Sequence, residues 1–196
     1  ACNRFDMLRL DWDPTWWILA DVNPRDGWSW PDVIRRKSQL VFREHDRPLI
    51  EPYGRQDVIY MPRCSHIGGE WVPEAWHLPT PCDYGGSVSV ALQAAAALGY
   101  SPIYLVGCDL YQYRGPNDPD INHFHPAYTP YKRRKDGREV VGPADWARLN
   151  RRLIHAHQIA RRSARDMNIA IYNATVGGTL DVYPRRSVED VLDGAA

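Results

Sequence analysis

No charged residue occurs between Tyr84 and Cys108, a run long enough to cross a bilayer as a helix. Its punctuation assigns it differently. Gly85 and Gly86 open the run, Gly99 and Pro102 interrupt it, and the β-branched Ile103 and Val106 follow. The pattern predicts a helix over Ser87–Leu98 buried on most sides, a turn at Gly99, and a buried strand over Ile103–Asp109. A helix apolar nearly all round that feeds a continuous apolar strand is the order found in parallel sheets, where both faces are covered and alternation disappears. The expected fold class is therefore an α/β sandwich with a mainly parallel sheet and no membrane span.

The rest of the chain repeats that grammar. Trp16–Asp21 is a short apolar run that stops at an acid and then Val22-Asn23-Pro24, as a buried strand does at a functional loop. A short helix is expected over Pro31–Lys37, with strands at Gln39–Phe42 and Asp57–Met61. Residues 62–83, rich in Pro, Gly, Trp and His, read as a long loop or lid. Pro143–Met167 predicts the longest helix, with Trp146, Leu149, Leu153, Ala156, Ala160, Ala164 and Met167 as its core stripe. Asn168–Asn173 is the last strand, and Ser187 caps a short C-terminal helix. At 196 residues this is room for one domain rather than two cores.

Charge narrows the function classes. Lys plus Arg (24) equals Asp plus Glu (24), which removes the strongly basic signature of a dedicated nucleic-acid binder. Locally the balance fails: Tyr131–Arg165 carries eleven basic and three acidic residues, so +8 there faces −8 elsewhere. Cys2, Cys64, Cys82 and Cys108 are too far apart for a disulfide framework, which fits a reducing cytoplasm. Cys64, His66, His77 and Cys82 have metal-binding side chains but lack the close ligand pairs of structural zinc sites, so no metal is expected.

In an open parallel sheet, ligands gather at the carboxyl ends of strands. Three such places are visible here. The first strand ends at Asp21-Val22-Asn23, the apolar strand ends at Asp109-Leu110-Tyr111, and the buried helix starts at Gly85-Gly86-Ser87, where free backbone N–H groups suit a phosphate. Gly-Gly serves equally well as a tight turn alone. A carboxylate at the depth of Asp109 needs hydrogen bonds, a metal or a ligand hydroxyl. The densest chemical cluster follows, with Asp118, Asp120, His123 and His125 close together. Either imidazole is placed to take a proton from an attacking hydroxyl, the leading reading, or alternatively the His-x-His spacing holds a metal with Asp109 or Asp120; Tyr111 is placed to hydrogen-bond a leaving phosphate. His155 and His157, two apart on one helix, point to different faces and read as packing or surface residues.

The segment GGSVSVALQAAAALGYSPIYLVGCDLYQ, with ACNRF and Asp21-Val22-Asn23 before it and NHFH and IYNATVGGTLDVYP after it, resembles the MptE-like family. Relatives of that family include Maf flagellin glycosyltransferases and bacterial lipooligosaccharide sialyltransferases. The resemblance spans most of the chain and implies a Rossmann-like three-layer sandwich over residues 1–196. It implies that Asn3, Asn23, Gly85, Gly86, Ser87 and Asp109 bind a nucleotide, that Tyr111 meets its phosphate, and that His123 or His125 is the base. The family pattern also has a strand and a glycine-containing loop ahead of the Cys-Asn pair, so an N-terminally trimmed domain is expected.

The function so implied is transfer of a sugar from a nucleotide-activated donor to a hydroxyl acceptor, as in sialyltransferases, with no cofactor. A second expectation is an MptE-like, ATP-dependent 6-hydroxymethylpterin diphosphokinase, in which Mg would offset phosphate charge beside Asp109, Asp118 or Asp120. A third is a non-catalytic nucleotide-binding or nucleic-acid-binding module using the basic segment, with the balanced net charge weighing against nucleic acid. Association into an oligomer is compatible with all three.

Overall fold

A computed structural model describes residues 1–8, 11–20, 22, 28–62, 75–76, 78, 83–110 and 143–194. Parallel pairing dominates it. β1 (Trp16–Leu19), β2 (Gln39–Arg43) and β3 (Ile59–Met61) form a three-stranded parallel sheet in that order, with Trp17 opposite Leu40, Ile18 opposite Val41 and Phe42 opposite Tyr60. Successive side chains leave opposite faces of a strand. Trp17, Leu19, Leu40 and Phe42 therefore share one face, against Trp30 and Val33 of α1 (Trp30–Arg35) and Ile50 of α2 (Arg47–Ile50). Ile18, Ala20, Val41 and Met61 share the other, against Val90 of α3 (Gly86–Ala97). A sheet with two apolar faces explains why Trp16–Leu19 shows no alternation in the sequence.

β4 (Ile103–Leu105) and β5 (Ile171–Asn173) form a second, two-stranded parallel sheet. Leu105 and Ile171 bury against Leu92 of α3 and against Ala160 and Ala164 of α4 (Pro143–Asp166). α3 thus contributes to the cores of both sheets, which is why almost its whole surface is apolar. A single mainly parallel sheet is what the sequence pattern predicts; among the described residues the strands fall into two sheets, joined through α3 and not by a ladder. Except for β2, which runs one residue longer, the strands are also shorter than expected. The second sheet's first strand stops at Leu105, because Val106 turns out to solvent, 71% exposed.

The expected core stripe of α4 holds over only part of its length. Ala156, Ala160 and Ala164 are buried, together with Ile159, but Leu149 is 39% and Met167 43% exposed. Toward its N-terminus α4 leaves the core, and Leu149 and Leu153 line a cleft there. The chain ends with α5 (Val188–Leu192), where the Asp190 amide donates to the Ser187 hydroxyl at 3.0 Å, the cap expected from the sequence. Among the described residues no helix is long and apolar enough to cross a membrane.

Candidate functional site

The C-terminal ends of β1 and β4 and the N-terminus of α3 open onto one cleft of about 400 Å³, closed on its far side by α4. Asn3, Gly85, Gly86, Ser87 and Asp109 all line it, so five residues dispersed over more than half of the chain meet where the sequence pattern places them. Asn23, Tyr111, His123 and His125 lie outside the described residues, as do Cys64, His66, His77, Cys82, Asp118 and Asp120. Most of the 62–83 loop lies outside them too. Trp76, which is described, donates its amide to the Ser163 hydroxyl of α4 at 3.0 Å.

Ser87 is the joint of the site. Its side chain is buried, and its hydroxyl accepts from the Ala20 amide at 3.2 Å while donating to Asn3 Oδ1 at 2.5 Å. One hydroxyl thereby ties the end of β1, the start of α3 and the chain's first turn together. Asn3 reaches that position because residues 1–3 run parallel to β1: the Ile18 amide donates to Ala1 O and the Asn3 amide to Ile18 O, both at 2.9 Å. With Oδ1 committed to Ser87, the Nδ2 donors of Asn3 are the part of that side chain left for a ligand. Ser87 itself, expected beside a sugar donor, spends its hydroxyl on the framework.

α3 starts without a side-chain cap, its N-cap being Gly85 at φ +86°. That glycine is required by more than its dihedral. A Cβ there would lie 2.2 Å from the Ala156 Cβ, so the Ala156 methyl of α4 rests directly on the Gly85 backbone at the start of α3. The uncapped first turn leaves backbone donors and the positive end of the helix dipole facing the cavity.

Asp109 is held by its backbone. The Thr179 amide donates to Asp109 O at 2.6 Å, and the Thr179 hydroxyl donates to Leu110 O. Gly178 lies so close that a Cβ on it would sit 2.6 Å from that same oxygen and 2.7 Å from the Asp109 Cα. Thr175 accepts from the Cys108 amide at 2.9 Å, and the Asn173 side chain ties the Thr175 amide to Leu180 O. Arg185 gathers the carbonyls of Thr175 and Gly177 at 3.0 and 2.8 Å. The NATVGGTL segment is thus a bracket for the end of β4. Burial raises the Asp109 carboxyl above its ordinary range, so a ligand hydroxyl or cation that replaces lost water gains from it.

Burial also raises two thiols at the cleft's edge, Cys2 to about 11 and Cys108 to about 12. Both are protonated at neutral pH, so neither is a nucleophile. The two helical histidines part company as their spacing requires, but not as bystanders. His155 Nδ1 lies 3.1 Å from the Tyr84 hydroxyl. His157 is buried against Tyr183, as its reading as a packing residue expects, and it also lines the cleft. The α4 arginines divide as well. Arg152 faces the cleft, whereas Arg161, Arg162 and Arg165 line a separate groove beside Tyr172. Among the described residues no group of three potential metal ligands comes together.

Compared with known protein families, characterised proteins and solved structures, the chain matches none.

Proposed function

We propose that this chain is a nucleotide-dependent transferase of the sialyltransferase-like kind, moving a sugar from a nucleotide-activated donor to a hydroxyl, on a Rossmann-like sandwich to which both parallel sheets belong. The convergence of Asn3, Gly85, Gly86, Ser87 and Asp109 on one cleft carries this reading. The phosphate lies at the uncapped start of α3, where backbone N–H groups and the helix dipole favour an anion. Asn3 Nδ2 and Asp109 supply a donor and an acceptor to the nucleoside side. In the displacement step the acceptor oxygen bonds to the sugar's anomeric carbon and the bond from that carbon to phosphate breaks. The hydroxyl proton goes to His123 or His125, and Tyr111 donates to the departing phosphate.

The reading is tested by thermal unfolding with candidate ligands. Cytidine monophosphate or its sialic acid derivative raises Tm more than ATP with magnesium does. The opposite ranking turns the proposal toward the MptE-like diphosphokinase, with Mg beside Asp109. His123→Ala and His125→Ala then separate binding from chemistry: one loses turnover and keeps nucleotide affinity. Full turnover in both removes the imidazole base from the mechanism.

A further inference from the structure

The cleft holds one buried imidazole that the transfer scheme leaves without a role. His157 is 6% exposed and lines the cavity from α4. Its Nδ1 lies 3.0 Å from the hydroxyl oxygen of Tyr183, a buried residue outside the cleft lining. A phenol carries one proton to donate, and Tyr183 donates it to the His157 backbone carbonyl at 3.2 Å. With that proton on the carbonyl, the hydroxyl oxygen faces Nδ1 as an acceptor and the ring proton is assigned to Nδ1, the tautomer on which the inference stands. Burial lowers the imidazole to about 4, so at pH 7 about one ring in a thousand is charged. A neutral ring protonated at Nδ1 has its lone pair on Nε2. Among the described residues nothing hydrogen-bonds to that nitrogen.

We infer that His157 is a fixed hydrogen-bond acceptor of the cleft, presenting Nε2 to a sugar hydroxyl of the ligand, with Tyr183 as the positioning residue that sets its tautomer. The inference rests on the nucleotide-sugar reading and deepens it. The phosphodiester of a nucleotide sugar is excluded as the partner because it carries no proton at neutral pH, and a sugar is favoured by place. His157 follows Ala156, the residue on which Gly85 packs at the start of α3. A phosphate at that helix start puts its directly bonded sugars beside His157, whereas the base lies one sugar further away. An imidazole of such low proton affinity is a poor proton remover at neutral pH. His157 therefore recognises the ligand, and removal of the acceptor proton stays with the other imidazoles.

Calorimetric affinities for cytidine 5′-monophosphate, its 2′-deoxy analogue and cytidine monophosphate-sialic acid test this on the wild-type chain, His157→Phe and His157→Gln. Loss of one neutral hydrogen bond in His157→Phe weakens binding about 5- to 10-fold. His157→Gln, whose Oε1 takes the place of Nε2, stays within about 2-fold of wild type on the same reasoning. If the 2′-deoxy analogue binds wild type as weakly as the ribonucleotide binds His157→Phe, the partner hydroxyl is on the ribose. A loss confined to the sialic acid derivative places it on the transferred sugar. Unchanged affinity of His157→Phe for all three ligands overturns the inference while leaving the nucleotide reading intact; no binding to wild type fells both. The unmutated protein gives an independent readout. Histidine ¹⁵N spectra show His157 protonated at Nδ1 and shift at Nε2 on saturation with cytidine monophosphate, and a ring protonated at Nε2 overturns the inference whatever the variants do.

Discussion

Replacing Gly85 with alanine tests the junction on which the cleft floor is built. The added Cβ falls 2.2 Å from the Ala156 Cβ and sits on a backbone at φ +86°. A left-handed conformation costs alanine about 1–2 kcal/mol. Non-bonded carbons settle at roughly 3.5–4.0 Å, so α3 and α4 must separate by more than an ångström, an overpacking worth about 1–3 kcal/mol. Gly85→Ala is therefore expected to lose about 2–5 kcal/mol, or roughly 5–15 °C in Tm for a domain of this size. Ala156→Gly alone costs about 2 kcal/mol, from helix propensity and one buried methyl. If the clash is real, removing the Ala156 methyl relieves it. The double variant then loses about 1–3 kcal/mol less than the sum of the singles. Urea and thermal unfolding of the four proteins measure the cycle, and additivity within about 0.5 kcal/mol refutes the close helix contact.

Gly178→Ala pushes a methyl into the Asp109 backbone, at 2.6 Å from its oxygen, whereas Gly54→Ala adds one in open space at nearly the same dihedral. Titration calorimetry with cytidine monophosphate should show about a 5-fold or greater loss for the first and none for the second, since only the first moves a group to which the proposed function gives a hydrogen bond with the ligand. Equal affinities would detach the bracket from the site. Ser87→Ala leaves the buried Ala20 amide without its acceptor, a cost of about 1–3 kcal/mol that denaturant unfolding reads directly, and an unchanged midpoint contradicts the joint described for Ser87. His157 gives a pH signature. Its folded value of about 4 lies below the ordinary 6.5, so the unfolded chain binds the extra proton between those values. The stability that His157 contributes is complete above about pH 6.5 and fades as pH falls toward 4, by about 3 kcal/mol at most. Unfolding of His157→Gln across that window should show a flatter acid limb than wild type, and parallel limbs would contradict the buried neutral ring.

Apart from α2, which the sequence pattern did not predict, the order of helices and strands was legible because burial on both faces leaves a plain signal: uninterrupted apolar runs at Trp16–Leu19 and Ile103–Leu105, and a nearly all-apolar helix at 86–97. Cap and turn chemistry at Gly85, Gly99 and Ser187 then set the ends. Gly85, Gly86, Ser87 and Asp109 were legible as candidates because strand ends and helix starts must meet somewhere in a parallel sheet, whereas Asn3 came only from the family resemblance. What pattern could not supply was geometry that depends on partners far away in sequence. Ser87 looks like a ligand donor until Ala20 and Asn3 are seen to occupy its hydroxyl. Gly178 and Arg185 look like an ordinary turn and a surface charge until the bracket beneath Asp109 is in view. His157 was legible as a packing residue, but its part in the cleft wall was not, because a helical stripe predicts a face and not the point along the helix at which a cavity opens beside it. A tighter signal was present: Leu149, Leu153 and His157 fall at four-residue steps, so a polar residue continues an apolar row.

The central claim is that a nucleotide occupies the cleft between the starts of α3 and the ends of β1 and β4. Amide ¹H–¹⁵N spectra recorded while cytidine monophosphate is titrated into the protein test it residue by residue. The expected shifts concentrate at Asn3, Gly85, Gly86, Ser87, Gly107 and Asp109. Shifts gathered instead around Arg161, Arg165 and Tyr172, or none at saturating nucleotide, would contradict it.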